Sequence, residues 1–130
     1  MPVSQAPPHP FGDFIGLKPT QRGNGFAVME QEAGPNHMNP CGVVNGSVAY
    51  AMLDSSMGGA VASTLVESET TATLEIKVIY LRVARPGTLR SESRVIHRTR
   101  RFAVVEGEVR QHDKVIARAS GTFAILPTSE

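Results

Sequence analysis

One cysteine, Cys41, is all the chain has, so no intrachain disulfide can form, and that usage fits a reducing compartment such as the cytoplasm. Net charge is equally scarce. Thirteen Lys and Arg against twelve Asp and Glu leave +1, which provides no field to attract nucleic acid or an anionic membrane. No apolar run is long enough to cross a bilayer, because the most apolar stretch is interrupted by Asp54 and several Ser and Gly residues. Internal repeats are absent, and so is any glycine-rich loop of the kind that cradles phosphates. The stretch from Met1 to Pro10 holds four prolines and no apolar centre, so it reads as a flexible arm rather than a secretory signal. What is present is 130 residues at 41% hydrophobic content, enough for one globular domain with its own core.

Residue spacing then assigns the elements. Phe11, Phe14, Ile15 and Leu17 have roughly helical spacing, and Pro19 with Gly23-Asn24-Gly25 ends that segment in a turn. Residues 1–24 therefore read as an N-terminal arm with a short helix, and residues 25–130 as the domain proper. Phe26 to Gln31 reads as a strand, and Glu32 to Val44 as a loop rich in Gly, Pro and Asn. The small and apolar residues from Gly46 to Ala62 predict a buried helix, with Asn45 or Ser47 as its N-cap.

Beyond that helix the period changes to two. Ala72, Leu74, Ile76, Val78 and Tyr80 alternate with Thr73, Glu75 and Lys77, which predicts a half-buried strand with the first set inward. Arg85-Pro86-Gly87 supplies a turn. Leu89 to His97 and Phe102 to Arg110 read as two further strands, and Gln111 to Lys114 as a hairpin connection. Val115, Ala117, Ala119, Phe123 and Ile125 line one face of a last long strand. The class is α+β: one long central helix wrapped by a mostly antiparallel sheet of five to six strands.

Asp54 is the only acid in the helix. An unpartnered carboxylate is expensive to bury, so such a residue has either a chemical task or a structural partner, an arginine or backbone amides.

The segment His37-Met38-Asn39-Pro40-Cys41-Gly42-Val43-Val44-Asn45-Gly46-Ser47, with Asp54 eight residues past Gly46, resembles the signature of hotdog-fold acyl-CoA thioesterases. The phenylacetate-degradation and 4-hydroxybenzoyl-CoA types are the most similar. Thr71 to Ile76 and Arg85-Pro86-Gly87 also stand where such proteins place them. The resemblance implies a hotdog fold, a homodimer with a joined sheet, dimers paired into a homotetramer, and thioester hydrolysis without metal or cofactor. It implies that Asp54 is nucleophile or general base, that the Gly46 amide polarises the thioester carbonyl, and that Asn39 orients the carbonyl or the attacking water. Thr73 matches a residue that in some relatives reaches the site from the partner subunit to position water.

Asn45 is the main departure, since most relatives carry histidine there. A carboxamide can donate a hydrogen bond but cannot shuttle a proton. A non-catalytic acyl-CoA-binding protein is therefore the alternative reading, and a dehydratase, which needs a histidine–carboxylate pair, is less favoured. Structural readings stand beside each assignment: an Asx-turn before Pro40 for Asn39, a solvent-side strand position for Thr73, an exposed loop position for His37.

Geometry adds a constraint. Eight helical residues separate Gly46 from Asp54, roughly 12 Å at about 1.5 Å per residue, whereas hydrogen-bond reach is about 3 Å. The two cannot serve one carbonyl within one chain. Two helices packed antiparallel about a two-fold axis would bring the N-terminus of one to Asp54 of the other. Ala51, Ser55, Gly59 and Ala62 form a ridge of small residues that permits such an approach, although Gly58 and Gly59 could equally ease packing on the sheet. For the phosphates of coenzyme A, the candidates are Arg98, Arg100 and Arg101 beside His97, with Arg82 and Arg85 near another connection. The same arginines could simply solubilise hairpin tips.

Overall fold

A computed structural model describes residues 8–128. The residues read as a flexible arm lie largely outside that range. A short helix, α1 (Pro10–Ile15), leads into β1 (Leu17–Gly23) and β2 (Phe26–Ala33). A 3-10 turn, Pro35–His37, and a loop follow, then the long helix α2 (Gly46–Ala62). Four strands complete the chain: β3 (Glu69–Tyr80), β4 (Gly87–Arg98), β5 (Phe102–Gln111) and β6 (Lys114–Pro127). They form one antiparallel sheet in the order β1-β2-β4-β5-β6-β3, curled around α2. This is the hotdog architecture.

The sheet curls because its inner face is apolar and alternates with a polar outer face. Leu89, Val105, Val109 and Phe123 point inward and are fully buried against Met52, Leu53, Met57 and Val61 of α2. Two buried hydroxyl contacts fix the helix on the sheet: Ser56 and Ser93 meet at 2.6 Å, and Ser91 donates to the Met52 carbonyl at 3.3 Å. Pairing them inside the core avoids the penalty of unsatisfied polar groups.

Three expectations change. Leu17–Gly23, read as the end of a helix and a turn within the N-terminal arm, is a strand of the sheet. Pro19 fits because β1 lies at the sheet edge, where a missing N–H costs no ladder bond, and the register shifts between Pro19 and Gln21. In β6, Ile116 is buried and Val115 is not, since Arg110 pairs with Val115 and Val109 with Ala117, leaving Ile116 as the extra residue.

The third change matters most for function. In β3, Thr73 pairs with Phe123 and Glu75 with Thr122, so Leu74 is a bulge residue and is exposed. One extra residue inverts the side-chain alternation. After the bulge Ile76 and Val78 face inward as expected; before it, Thr71 and Thr73 turn toward α2 instead of Ala72 and Leu74.

Candidate active site

α2 is covered by the sheet on one side only. Ser47, Tyr50, Ala51, Asp54, Ser55, Gly58 and Ala62 recur at three- and four-residue spacing and remain partly or fully exposed. Asp54 thus lies on an uncovered stripe and is half-buried, not sunk in the core as the apolar run suggested. Among the described residues no ion pair includes it. Its partner is Thr73, whose hydroxyl donates to Oδ1 at 2.9 Å. The β3 bulge is what aims Thr73 at the helix, where it bonds Asp54 while remaining exposed. Thr73 and Asp54 belong to the same chain.

A cleft of about 870 Å³ opens at this pair. That volume suits a small-molecule acyl group. Phe123, Met29 and Leu17 supply apolar surface, Gly58 and Ala62 leave room along the helix, and Arg22, Glu67 and Glu69 bring charge to the same cleft. Gly59 does not belong to the open ridge. A Cβ there would lie 3.2 Å from Arg22 Nε and 3.3 Å from the Ala27 Cβ, so this glycine serves packing against β1 and β2. Burial lowers the pKa of Arg22 below the usual guanidinium value.

The other candidates gather at the opposite end of α2. Asn45 is the N-cap: its side-chain oxygen accepts from the Ser47 N–H at 2.8 Å and its carbonyl from the Val48 N–H at 2.9 Å. Of the first three helical amides, only that of Gly46 has no acceptor among the described residues. A free N–H at the positive end of a seventeen-residue helix is a ready donor for an oxyanion. Asn39 organises the preceding loop. Its side-chain oxygen accepts from Cys41 N–H at 2.9 Å and Val43 N–H at 3.3 Å, the Asx arrangement expected before Pro40. Because these donors are backbone amides, the side-chain NH2 of both Asn39 and Asn45 is left to point elsewhere.

His37 is half-buried and not an exposed loop residue. Its Nδ1 accepts from the Gly34 N–H at 2.9 Å, closing the turn on itself, and its Nε2 lies 2.8 Å from the Ile15 carbonyl, tying the loop to α1. No group of three or more His, Cys, Asp or Glu among the described residues is arranged to hold a metal ion.

Of the arginines weighed for phosphate contact, Arg98 already has an acidic partner. It pairs with Glu69 at 2.7 Å and reaches Thr64 through Nε at 3.3 Å, fastening the β4–β5 corner to the end of α2. Arg100 and Arg101 in the adjoining turn are exposed and take part in no ion pair among the described residues. Arg82 and Arg85 are exposed near the N-terminus of α2, where Ala84 accepts from the Val44 N–H. Sequence reasoning missed Tyr80 altogether as a site residue, although its ring lies on Gly46 and its hydroxyl donates to the Gly46 carbonyl at 2.7 Å.

Comparison with known proteins agrees with this geometry. The profile of the thioesterase superfamily matches residues 41–117, which span the α2 N-terminus, Asp54, Thr73 and most of the sheet. The chain belongs to the thioesterase superfamily. It is a thioester hydrolase. Among solved structures, a conserved protein of Pseudomonas aeruginosa is 36% identical, with 92% of this chain and 95% of that one covered and a TM-score of 0.88. A phenylacetic acid degradation-related protein of Ralstonia eutropha is 30% identical over 92% of both chains, TM-score 0.85. The phenylacetic acid degradation protein PaaI of Thermus thermophilus, in a mutant form, is 26% identical over 91% of this chain and 100% of that one, TM-score 0.85. No curated protein matches the sequence. No helix among the described residues of this thioesterase is long and apolar enough to cross a membrane.

The corner that Arg98 makes with Glu69 is testable by pH. The Val66 N–H and then Arg98 hold the Glu69 carboxyl below its ordinary value, against an opposing desolvation effect. A depressed folded value means the contribution is complete above the unfolded value of about 4.3 and is lost as pH falls through the lower folded value. The gap in thermal midpoint between wild type and Glu69→Gln should therefore be constant near neutrality and close in acid below about pH 4. A gap that stays open there would contradict the assignment.

Proposed function

We propose that the protein hydrolyses an acyl-CoA thioester at a site composed of two copies of the chain. One copy supplies the Gly46 N–H and the other the Asp54–Thr73 pair. The observation that carries this reading is a carboxylate held by a single hydroxyl at the mouth of a large cleft, on the same helix as an unpartnered N-terminal amide. Their separation of roughly 12 Å along one helix excludes a shared carbonyl within one chain.

A second copy has a natural seat. β3 is a twelve-residue edge strand whose exposed Leu74 and Ile79 suit pairing with another chain. Edge-to-edge pairing of two such strands would join the sheets and set the uncovered faces of two α2 helices against each other. A homodimer follows, and a dimer of dimers accords with the sequence pattern.

In this mechanism water sits between the Thr73 hydroxyl and the second oxygen of Asp54. Asp54 takes its proton as the water oxygen attacks the thioester carbon. The Gly46 N–H of the other copy, reinforced by the helix dipole, holds the oxyanion. Collapse breaks the C–S bond, and the leaving coenzyme A thiolate recovers the proton from Asp54. Asn45 serves as cap and as a second donor through its NH2, and Asn39 holds the loop that presents it. An aromatic acyl group fits the cleft beside Phe123, and two similar proteins are named for phenylacetic acid degradation.

Release of free thiol from a panel of aryl- and fatty-acyl-CoA thioesters tests the proposal. Asp54→Asn should lower kcat by about 10²–10⁴-fold while the dimer and substrate affinity persist, and Thr73→Val by about tenfold. Near-normal kcat in folded Asp54→Asn would refute the mechanism, and tight binding of every thioester without release by the wild type would favour the non-catalytic binder. Arg100→Ala with Arg101→Ala should raise KM several-fold in a salt-dependent way and leave kcat unchanged, if these residues meet the coenzyme A phosphates.

A further inference from the structure

Tyr80 enters the sequence analysis only as a strand residue and has no part in the mechanism above, yet it contacts Gly46 in the N-terminal half of the site. It is the last residue of β3, seven positions past Thr73, and the strand's bulge lies between them. Because of that bulge, Thr73 and Tyr80 both turn toward α2 although an odd number of positions separates them. Thr73 engages the middle of the helix and Tyr80 its first turn.

The contact has two parts. The hydroxyl donates to the Gly46 carbonyl at 2.7 Å. The ring occupies the space that a side chain at position 46 would need: a Cβ built there would stand 3.2 Å from both Cε1 and Cζ. Resting on the proposed thioesterase mechanism, we infer that Tyr80 is a positioning residue, which fixes the first turn of α2 so that the Gly46 N–H points at the developing oxyanion. It also accounts for the glycine. A side chain at position 46 would press on the tyrosine ring and force it to shift, independently of how closely a substrate approaches.

Two further features fit a positioning role. Tyr80 is 50% exposed and Tyr50, one turn into the helix, is 41% exposed, so the ring is not a core residue held for burial alone. Burial, then the neighbouring Tyr50, pushes the Tyr80 phenol above its ordinary value, which keeps the hydroxyl a donor throughout the neutral range. Misdirecting a single oxyanion donor is costly to kcat, since that bond forms fully only in the transition state.

The experiment compares steady-state kinetics and thermal unfolding of wild type, Asp54→Asn, Tyr80→Phe, Gly46→Ala, Tyr80→Ala and the Gly46→Ala/Tyr80→Ala double variant, with an acyl-CoA that the wild type hydrolyses. Tyr80→Phe keeps the ring and removes the hydroxyl. It should lower kcat about tenfold with KM within about twofold and a near-wild-type thermal midpoint. Gly46→Ala should lower the midpoint in the wild-type background and cost little in the Tyr80→Ala background, a non-additive pair. Full kcat in Tyr80→Phe, or a loss seen only in KM or only in step with the midpoint, overturns the positioning role. An equal cost of Gly46→Ala with and without Tyr80 overturns the account of the glycine. If Asp54→Asn is also active, or the wild type hydrolyses nothing, the thioesterase mechanism fails first and the role of Tyr80 fails with it. Turnover that is lost in Asp54→Asn but complete in Tyr80→Phe sinks this inference alone.

Discussion

Along a single α-helix, an amide at position 46 and a carboxylate at position 54 are held roughly 12 Å apart, and no side-chain rotation closes that distance. The consequences run through the whole molecule. The sheet curls around one side of α2 and leaves a continuous stripe of Ser47, Ala51, Asp54, Ser55, Gly58 and Ala62 uncovered. A stripe of such small residues, beside an edge strand with exposed Leu74 and Ile79, leaves room for close approach by another surface. The hydrolytic reading of the site stands on that surface meeting its own copy.

β3 connects the two ends of the site. Its bulge at Leu74 lets one strand present Thr73 to Asp54 and Tyr80 to Gly46, which a regular strand would put on opposite faces. The sheet therefore carries the positions of both the carboxylate and the amide. At the far end of the helix the Arg98–Glu69 pair fastens the β4–β5 corner, leaving Arg100 and Arg101 in the exposed turn. Sorting the arginines in this way separates a structural charge from solvent-facing ones within four residues of sequence.

Much of this was legible in the sequence. α2, β4, β5 and most of β6 follow from periodicity, since an inward-facing row must be apolar wherever one sheet face packs on a helix. Asn45 as N-cap and the Asx-turn at Asn39 follow from the chemistry of short polar side chains. β1 was hidden because Pro19 and the Gly23-Asn24-Gly25 cluster signal a break, and only its place at the sheet edge makes that proline harmless. The orientation of Thr73 was hidden because a bulge has no composition of its own: Leu74 looks like a core residue until the pairing with β6 skips it. The ion pair of Arg98 was hidden because its partner lies 29 residues away, beyond any local pattern. Tyr80 was visible only as a strand residue, its contact with Gly46 spanning 34 positions.

The shared site is tested most directly by mixing two inactive variants. Gly46→Pro combined with Tyr80→Ala deletes the proposed oxyanion N–H and clears the ring that a side chain at position 46 would meet; proline is tolerated at the first helical position when the preceding residue is extended, as Asn45 is with ψ of 134°. Asp54→Asn deletes the base. If each site draws its amide from one chain and its carboxylate from the other, a mixed dimer contains one doubly altered site and one intact site. Unfolding and refolding an equal mixture should then restore roughly a quarter of wild-type turnover, from half the dimers being mixed and half their sites being whole. A mixture that contains the mixed dimers yet stays as inactive as either parent would contradict a site shared between chains.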